Sequence, residues 1–254
     1  MNKDELLKKI KINGYSLEYA SEDLRNNKEV VLLAVKKDGS ALQFASTKLR
    51  NDKEIVLEAM NGYGIALYYS SEELKNNKEV VLEAVTRNGY ALMYASEELK
   101  NDQEVVLAAV KKDGLALYFA NEKLKNSKVI VLEAIKQNAQ SLYHASEELK
   151  SDKEIVLIAI AENGESLQDT SDELRNDKEV VLKAVNQNKL ALRYVNKEIP
   201  EYKEILYTFK EFITEYKEEL AIEYELLKKY QREDKLNKSM NATKKTNTKI
   251  KSKI

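Results

Sequence analysis

The 254-residue chain has no cysteine, no tryptophan, one proline, one histidine and seven glycines. Without cysteine there is no disulfide framework and no thiolate zinc site. The lone histidine, His144, leaves metal binding to carboxylates, and these recur at helix starts, where they complement the helix dipole. No nucleophile–base pair stands out, and Gly62-Tyr-Gly64 lacks both the third glycine and the preceding strand of a phosphate-binding loop. No apolar run approaches a membrane span. The opening Met1–Leu7 carries acids where a signal peptide would begin its apolar core, so a cytoplasmic protein is expected. These absences predict a protein that is not an enzyme, with no catalytic, cofactor-binding or metal residues, no cofactor, no membrane contact and no small-molecule substrate.

What is present is a repeat. Leu24, Leu49, Leu74, Leu99, Leu124, Leu149 and Leu174 follow one another at a 25-residue interval without slippage. Leucines keep the same interval from Leu7 to Leu182 and from Leu17 to Leu192, and small alanines from Ala34 to Ala184. An uninterrupted beat means stacked copies of one supersecondary unit. With 43% apolar residues, one continuous array accounts for the chain length without a second domain.

Each copy opens on an N-capping residue type (Asn27, Asp52, Asn77, Asp102, Ser127, Asp152, Asp177). A run such as Val30-Val31-Leu32 with Ala34 and Val35 follows, which predicts a helix of about eleven residues. Gly39, Gly64, Gly89, Gly114 and Gly164 then fall where a helix C-terminus wants positive φ. Ala139 and Lys189 replace that glycine in two copies, so a local rebuilding of those turns is expected. The six residues that come next, Tyr90–Ala95 in one copy, are too few for an independent helix but enough for a helical turn or two held by neighbours. Ser96–Leu99 reads as a fresh cap and a last α or 3-10 turn. Strands are excluded because the apolar runs do not alternate. The fold class is therefore all-α: an α-solenoid of 25-residue units, each an α-helix plus a short α or 3-10 helix.

The pattern L-[KR]-N-[DN]-K-E-[VI]-V-L-x-A-[VI]-x-x-[ND]-G-x-A-L-x-[YF]-A-S-E-E-L, from Leu6 to about Ile199, resembles the tandem repeats of domain-of-unknown-function family 4116. More distantly it is similar to the leucine-rich-repeat variant, whose units alternate an α-helix with a short 3-10 helix. The first resemblance implies tandem helical units of bacterial and protist proteins with no assigned activity, and it carries over no functional residue.

Residues 1–199 are read as the repeat solenoid, 200–232 as one C-terminal capping helix, and 233–254 as a basic, flexible tail. Pro200 suits a helix start. Ile205, Leu206, Phe209, Phe212, Ile213, Tyr216, Leu220, Tyr224 and Leu227 form the single apolar stripe that could close the last open face or, alternatively, pair two chains. The net charge of −1 hides +7 from Lys235 to Ile254 (Lys235, Lys238, Lys244, Lys245, Lys249, Lys251, Lys253, with no acid) against −8 before it.

The function reading rests on exposed columns. Tyr68, Met93, Tyr118, Tyr143 and Arg193 share a column that changes character from copy to copy, as a surface column does, and Tyr and Arg favour interfaces. They are the protein-binding candidates, with the variable columns through residues 33, 40 and 43 setting specificity. The next column, from Tyr19 through His144 to Tyr194, is read as core, with His144 an aromatic-sized filler rather than a general base. The reading is a non-enzymatic protein-binding scaffold. The alternative is a nucleoprotein binder or an inhibitor, for example of a bacterial nuclease or CRISPR-type effector, whose seven tail lysines contact RNA or DNA phosphates.

Overall fold

A computed structural model of the chain describes residues 2–62 and 66–251, and among them there is no strand. Eight ten-residue helices start at a constant 25-residue interval, from Lys3–Ile12 through Lys28–Lys37 to Lys178–Gln187. Each is followed by a 3-10 helix such as Gly39–Phe44 or Gly114–Phe119, and in most copies by one further turn such as Glu122–Lys125. The protein is an all-α solenoid of eight such repeats. Contacts divide it into two compact parts, Met1–Ile155 and Val156–Ile254.

The caps are those expected at Asn27, Asp52, Asn77, Asp102, Asp152 and Asp177, while Ser127 starts its helix without a side-chain cap bond. Asn77 Oδ1 accepts from Val80 N at 3.1 Å, and Asp102 Oδ1 accepts from Glu104 N and Val105 N. The helix ends differ from expectation. No described glycine has positive φ, and Gly64 lies outside the described residues. The chain turns instead at the Asp or Asn before the glycine: Asn88 is extended (φ −145°, ψ 110°), donates its N–H to Ala84 O, and accepts from Tyr90 N at 3.0 Å. One Asx residue thus ends the α-helix and starts the 3-10 helix. Asn138 and Asn188 do the same before Ala139 and Lys189, so those turns are not rebuilt.

The glycines serve another purpose. A Cβ on Gly89 would lie 2.6 Å from the carbonyl oxygen of Ala109, and one on Gly114 would lie 2.3 Å from that of Ala134. The 3-10 helix of one repeat is pressed against the long helix of the next, and the alanine column is the other half of that contact.

Within the first part, the core is filled by Leu6 and Ile10 of the first long helix, by positions equivalent to Val105, Val106, Ala109 and Val110 on the later ones, and by Leu17, Leu42, Leu67, Leu92, Leu117 and Leu142 on the 3-10 helices, all buried. The leucine column through Leu107 is only half-buried, although its constancy marks it as core. At 100° per residue, positions 105, 106, 109 and 110 fill the inward face and 107 falls beyond its edge. Neighbouring repeats are also stitched by backbone: Ser46 N donates to Arg25 O, Ser71 N to Arg50 O and Ser96 N to Lys75 O, each at 3.0 Å. The same serines donate their hydroxyls to Asn26, Asn51 and Asn76 of the preceding repeat.

A ladder of ion pairs links successive helix starts. Lys28 lies between Asp52 (2.7 Å) and Glu54 (2.8 Å), Lys78 between Asp102 and Glu104, and Lys128 meets Asp152. Burial pushes the Asp52 and Asp102 carboxyls up, but the lysine ammonium and the helix N–H groups outweigh it and hold them below the ordinary value of 3.8. At Asp152 the Lys128 hydrogen bond leads the same lowering. The stability these groups contribute is complete above the ordinary value and is lost as pH falls through the lowered folded one. An Asp52→Asn/Asp102→Asn/Asp152→Asn variant keeps its caps, since Asn caps as well as Asp. Its urea midpoint should therefore fall less steeply than the parent's between about pH 4 and pH 2. Parallel curves would show that the ladder carries no such linkage.

In the second part, Tyr202–Thr208 takes the next helix slot after Lys178–Gln187: Ile205 and Leu206 are buried one 25-residue step after Val180 and Val181, and Lys178 pairs with Glu204 at 3.1 Å. The segment read as one helix is three: Tyr202–Thr208, Lys210–Glu215 and Ala221–Lys251. Thr208 and Thr214 donate their hydroxyls to the carbonyls of Glu204 and Lys210, the back-bonding that bends helices. Ile205, Leu206, Phe209, Ile213, Leu220 and Leu227 of the stripe are buried, while Tyr216 is exposed. The last helix is tied to the first of the three by Lys203 and Tyr207, both bonded to Asp234. It also meets repeat 8 through Lys197 and Glu223, 3.2 Å apart. Helical backbone continues to Lys251 through the stretch read as a separate tail.

Candidate protein-binding surface

The 3-10 helices decide which side chains reach solvent. With three residues per turn, positions i and i+3 eclipse. Gly114, Leu117 and Ala120 therefore share the inward edge, and all are buried. Leu115 and Tyr118 share an outward edge. The variable column is thus exposed by geometry: Tyr68 by 54%, Met93 by 42%, Tyr118 by 57% and Tyr143 by 63%.

These rings are fixed in place. Tyr68 packs edge-on against Tyr69 of its own repeat (centroids 4.9 Å) and lies 5.0 Å from Tyr94 of the next. Tyr118 does the same with Phe119 (5.0 Å) and His144 (5.1 Å), Tyr90 reaches Phe119 at 5.7 Å, and Tyr143 packs on His144 at 5.1 Å. The helix Gly89–Tyr94 joins the two clusters by giving Tyr94 to one and Tyr90 to the other. Edge-to-face pairs of this kind stabilise by about 0.5–1.5 kcal/mol beyond area burial. The column from Tyr19 to Tyr194, expected in the core, is half-buried at Tyr69, Tyr94, Phe119 and His144 and exposed at Tyr19, so it is part of this surface. A 3-10 turn rotates by 120° per residue, so this column stands on a different edge from the inward leucines, one turn beyond the small, buried Ala66, Ala91 and Ala116.

His144 sits between the Tyr118 and Tyr143 rings. Burial, then the nearby Lys125 and Lys150 ammonium groups, hold its pKa below the ordinary imidazole value, so it stays neutral at neutral pH. Those lysines lie 5.8 Å and 5.5 Å from the Tyr118 and Tyr143 ring centres. They belong to a column that sequence reasoning passed over: Arg25, Arg50, Lys75, Lys100, Lys125, Lys150 and Arg175. From Lys75 on, each pairs with the acid three residues before it, as Lys125 does with Glu122 at 2.8 Å. The signal was there, one basic residue ahead of every Asn or Ser at the 25-residue interval.

The other candidates are not gathered here. Arg193, in the second compact part, is engaged in donating to the Glu219 carbonyl oxygen at 3.2 Å. Column 33 stands on the long helices and joins none of these ring contacts; its Leu33 and Ile158 are exposed. Lys235 is exposed on the last helix. The side chains of Lys238, Lys244, Lys245, Lys249 and Lys251, and the whole of Lys253, lie outside the described residues. Among the described residues no group of His, Cys, Asp and Glu could hold a metal ion, and no helix is long and apolar enough to cross a membrane.

Comparison with known proteins agrees with the repeat. The family described as Domain of unknown function (DUF4116) matches residues 2–50, 27–75, 52–100, 77–125, 102–150 and 152–199. The chain belongs to this family. Most successive matches are offset by the same 25-residue step that separates the helix starts, so each DUF4116 match spans about two structural repeats. No curated protein and no solved structure matches the DUF4116 chain.

Proposed function

We propose that this DUF4116 chain is a non-enzymatic protein-binding scaffold that engages its partner through the aromatic strip from Tyr68 to Tyr143. The observation that supports it is the interlocking of exposed rings across repeats. Rings this exposed contribute little to a core, yet packing against one another presents them as a rigid surface, which lowers the entropy lost on binding. Tyrosine is an interface residue by preference, supplying wide contact area from two rotatable bonds.

A Tyr68→Ala/Tyr118→Ala/Tyr143→Ala variant should keep its fold and helical content, with a modest fall in melting temperature, and lose a partner that the parent captures from lysate. Nuclease treatment and a form ending at Asp234 separate this from a contact made through nucleic acid. A partner retained equally by parent and triple variant would defeat the reading. One lost with nuclease or with the lysine-rich end would favour the nucleic-acid alternative.

A further inference from the structure

Repeat 2 departs from the charge pattern of repeats 3 to 7. In five repeats the cation at the end of the short turn meets an acid three residues earlier: Lys75 with Glu72, Lys100 with Glu97, Lys125 with Glu122, Lys150 with Glu147, and Arg175 with Asp172. In repeat 2 the cation is Arg50 and the acid is replaced by Thr47. No hydrogen bond or ion pair is made by the Arg50 guanidinium among the described residues, and none by the Thr47 hydroxyl.

The opening beside it is a cleft of about 400 Å³ lined by Glu22, Arg25, Gln43, Ser46, Thr47 and Arg50. Arg25 uses one prong on the Glu18 carbonyl oxygen, at 2.5 Å. Gln43 donates to Ser40 O and Ser46 to Asn26, so their donors are satisfied. The Nε atoms of both arginines are buried. Packing therefore holds the Arg50 guanidinium in place by its stem, and its Nη groups are the ends left for an acceptor. Glu22, the acid that precedes Arg25, makes no ion pair among the described residues, and with two arginines the cleft carries a net charge of one positive unit.

We propose that this cleft binds a carboxylate supplied from outside the chain, in the place that Glu72, Glu97, Glu122 and Glu147 fill in the other repeats. An arginine in place of lysine suits the role, because its planar fork takes both carboxylate oxygens where an ammonium takes one. If the chain is a protein-binding scaffold as proposed above, the source is an acidic side chain of its partner. Carboxylate binding itself is testable without that partner.

Acetate is titrated into full-length protein at constant ionic strength, with the Arg50 Nε–Hε cross-peak followed by NMR and inorganic phosphate run in parallel. The expected result is a saturable shift with acetate, absent at Arg87 and Arg193. Thr47→Glu restores the pattern of the other repeats and so should fold; by placing a carboxylate of its own in the cleft it should weaken acetate binding by about fivefold or more. Arg50→Gln should abolish it. No saturable shift, an undiminished one in Thr47→Glu, or a response to phosphate alone would each overturn the carboxylate assignment. None of these outcomes touches the aromatic strip.

Discussion

Leu117→Ala should lower the unfolding free energy by about 2–5 kcal/mol, the range for a leucine removed from a packed interior. Leu117 is fully buried, on the inward edge of Gly114–Phe119. Its neighbour Tyr118 is more than half exposed, so Tyr118→Ala should cost far less in the same urea titration, although its ring contacts with Phe119 and His144 are lost. Two adjacent residues would thus separate stability from recognition. Leu107→Ala should fall between them, because Leu107 is half-buried despite its constant column. Equal losses at Leu117 and Tyr118 would mean that the 3-10 helix does not face as described.

Gly114→Ala should also destabilise, by about 1–3 kcal/mol or more, the cost of forcing an extra carbon into a packed contact. The sign is not obvious. Gly114 has no positive φ, and on backbone freedom alone alanine would stabilise by about 0.4–1 kcal/mol by restricting the unfolded chain. Against that, the new Cβ would lie 2.3 Å from Ala134 O, 2.7 Å from Ser141 Oγ and 3.1 Å from Asn138 N. Two of these three are backbone atoms of the next repeat and cannot swing aside, so the clash outweighs the entropy. Thermal melts of Gly114→Ala beside Lys189→Gly test this, since Lys189 is exposed and its change to glycine should be nearly neutral. A Gly114→Ala protein as stable as the parent would remove the close approach as the reason for glycine.

The repeat period, the helical class and the N-caps were legible in the sequence because they depend on local chemistry repeated many times. The outward tyrosines were legible because their column varies. What local reading could not supply was the neighbour. Gly114 looks like a helix stop until Ala134 O is seen beside it. Leu107 looks like core until the inward face is found to be filled by Val105, Val106, Ala109 and Val110. Phe119 and His144 look buried because their column is aromatic throughout, yet the 120° step of a 3-10 turn carries them to the rim. The breaks after Thr208 and Glu215 lie inside an unbroken apolar stripe, and only the threonine hydroxyls bonded back to the turn before them hint at the bends.

The contacts between repeats join positions a fixed distance apart along the chain: Gly89 to Ala109, Ser46 to Asn26, Lys28 to Asp52. A recombination event that duplicates or deletes one repeat's worth of codons in frame therefore restores at the junction every such contact whose residues the joined copies share, wherever in the repeat the break falls. The gene can lengthen or shorten its product without any new interface having to evolve. A substitution in one copy, by contrast, is felt by two. The eighth copy is the exception to this freedom. Behind it Ile205 and Leu206 keep the spacing of the repeat, but Thr208 bends the helix that carries them, so a new copy can be accommodated upstream of this end and not behind it.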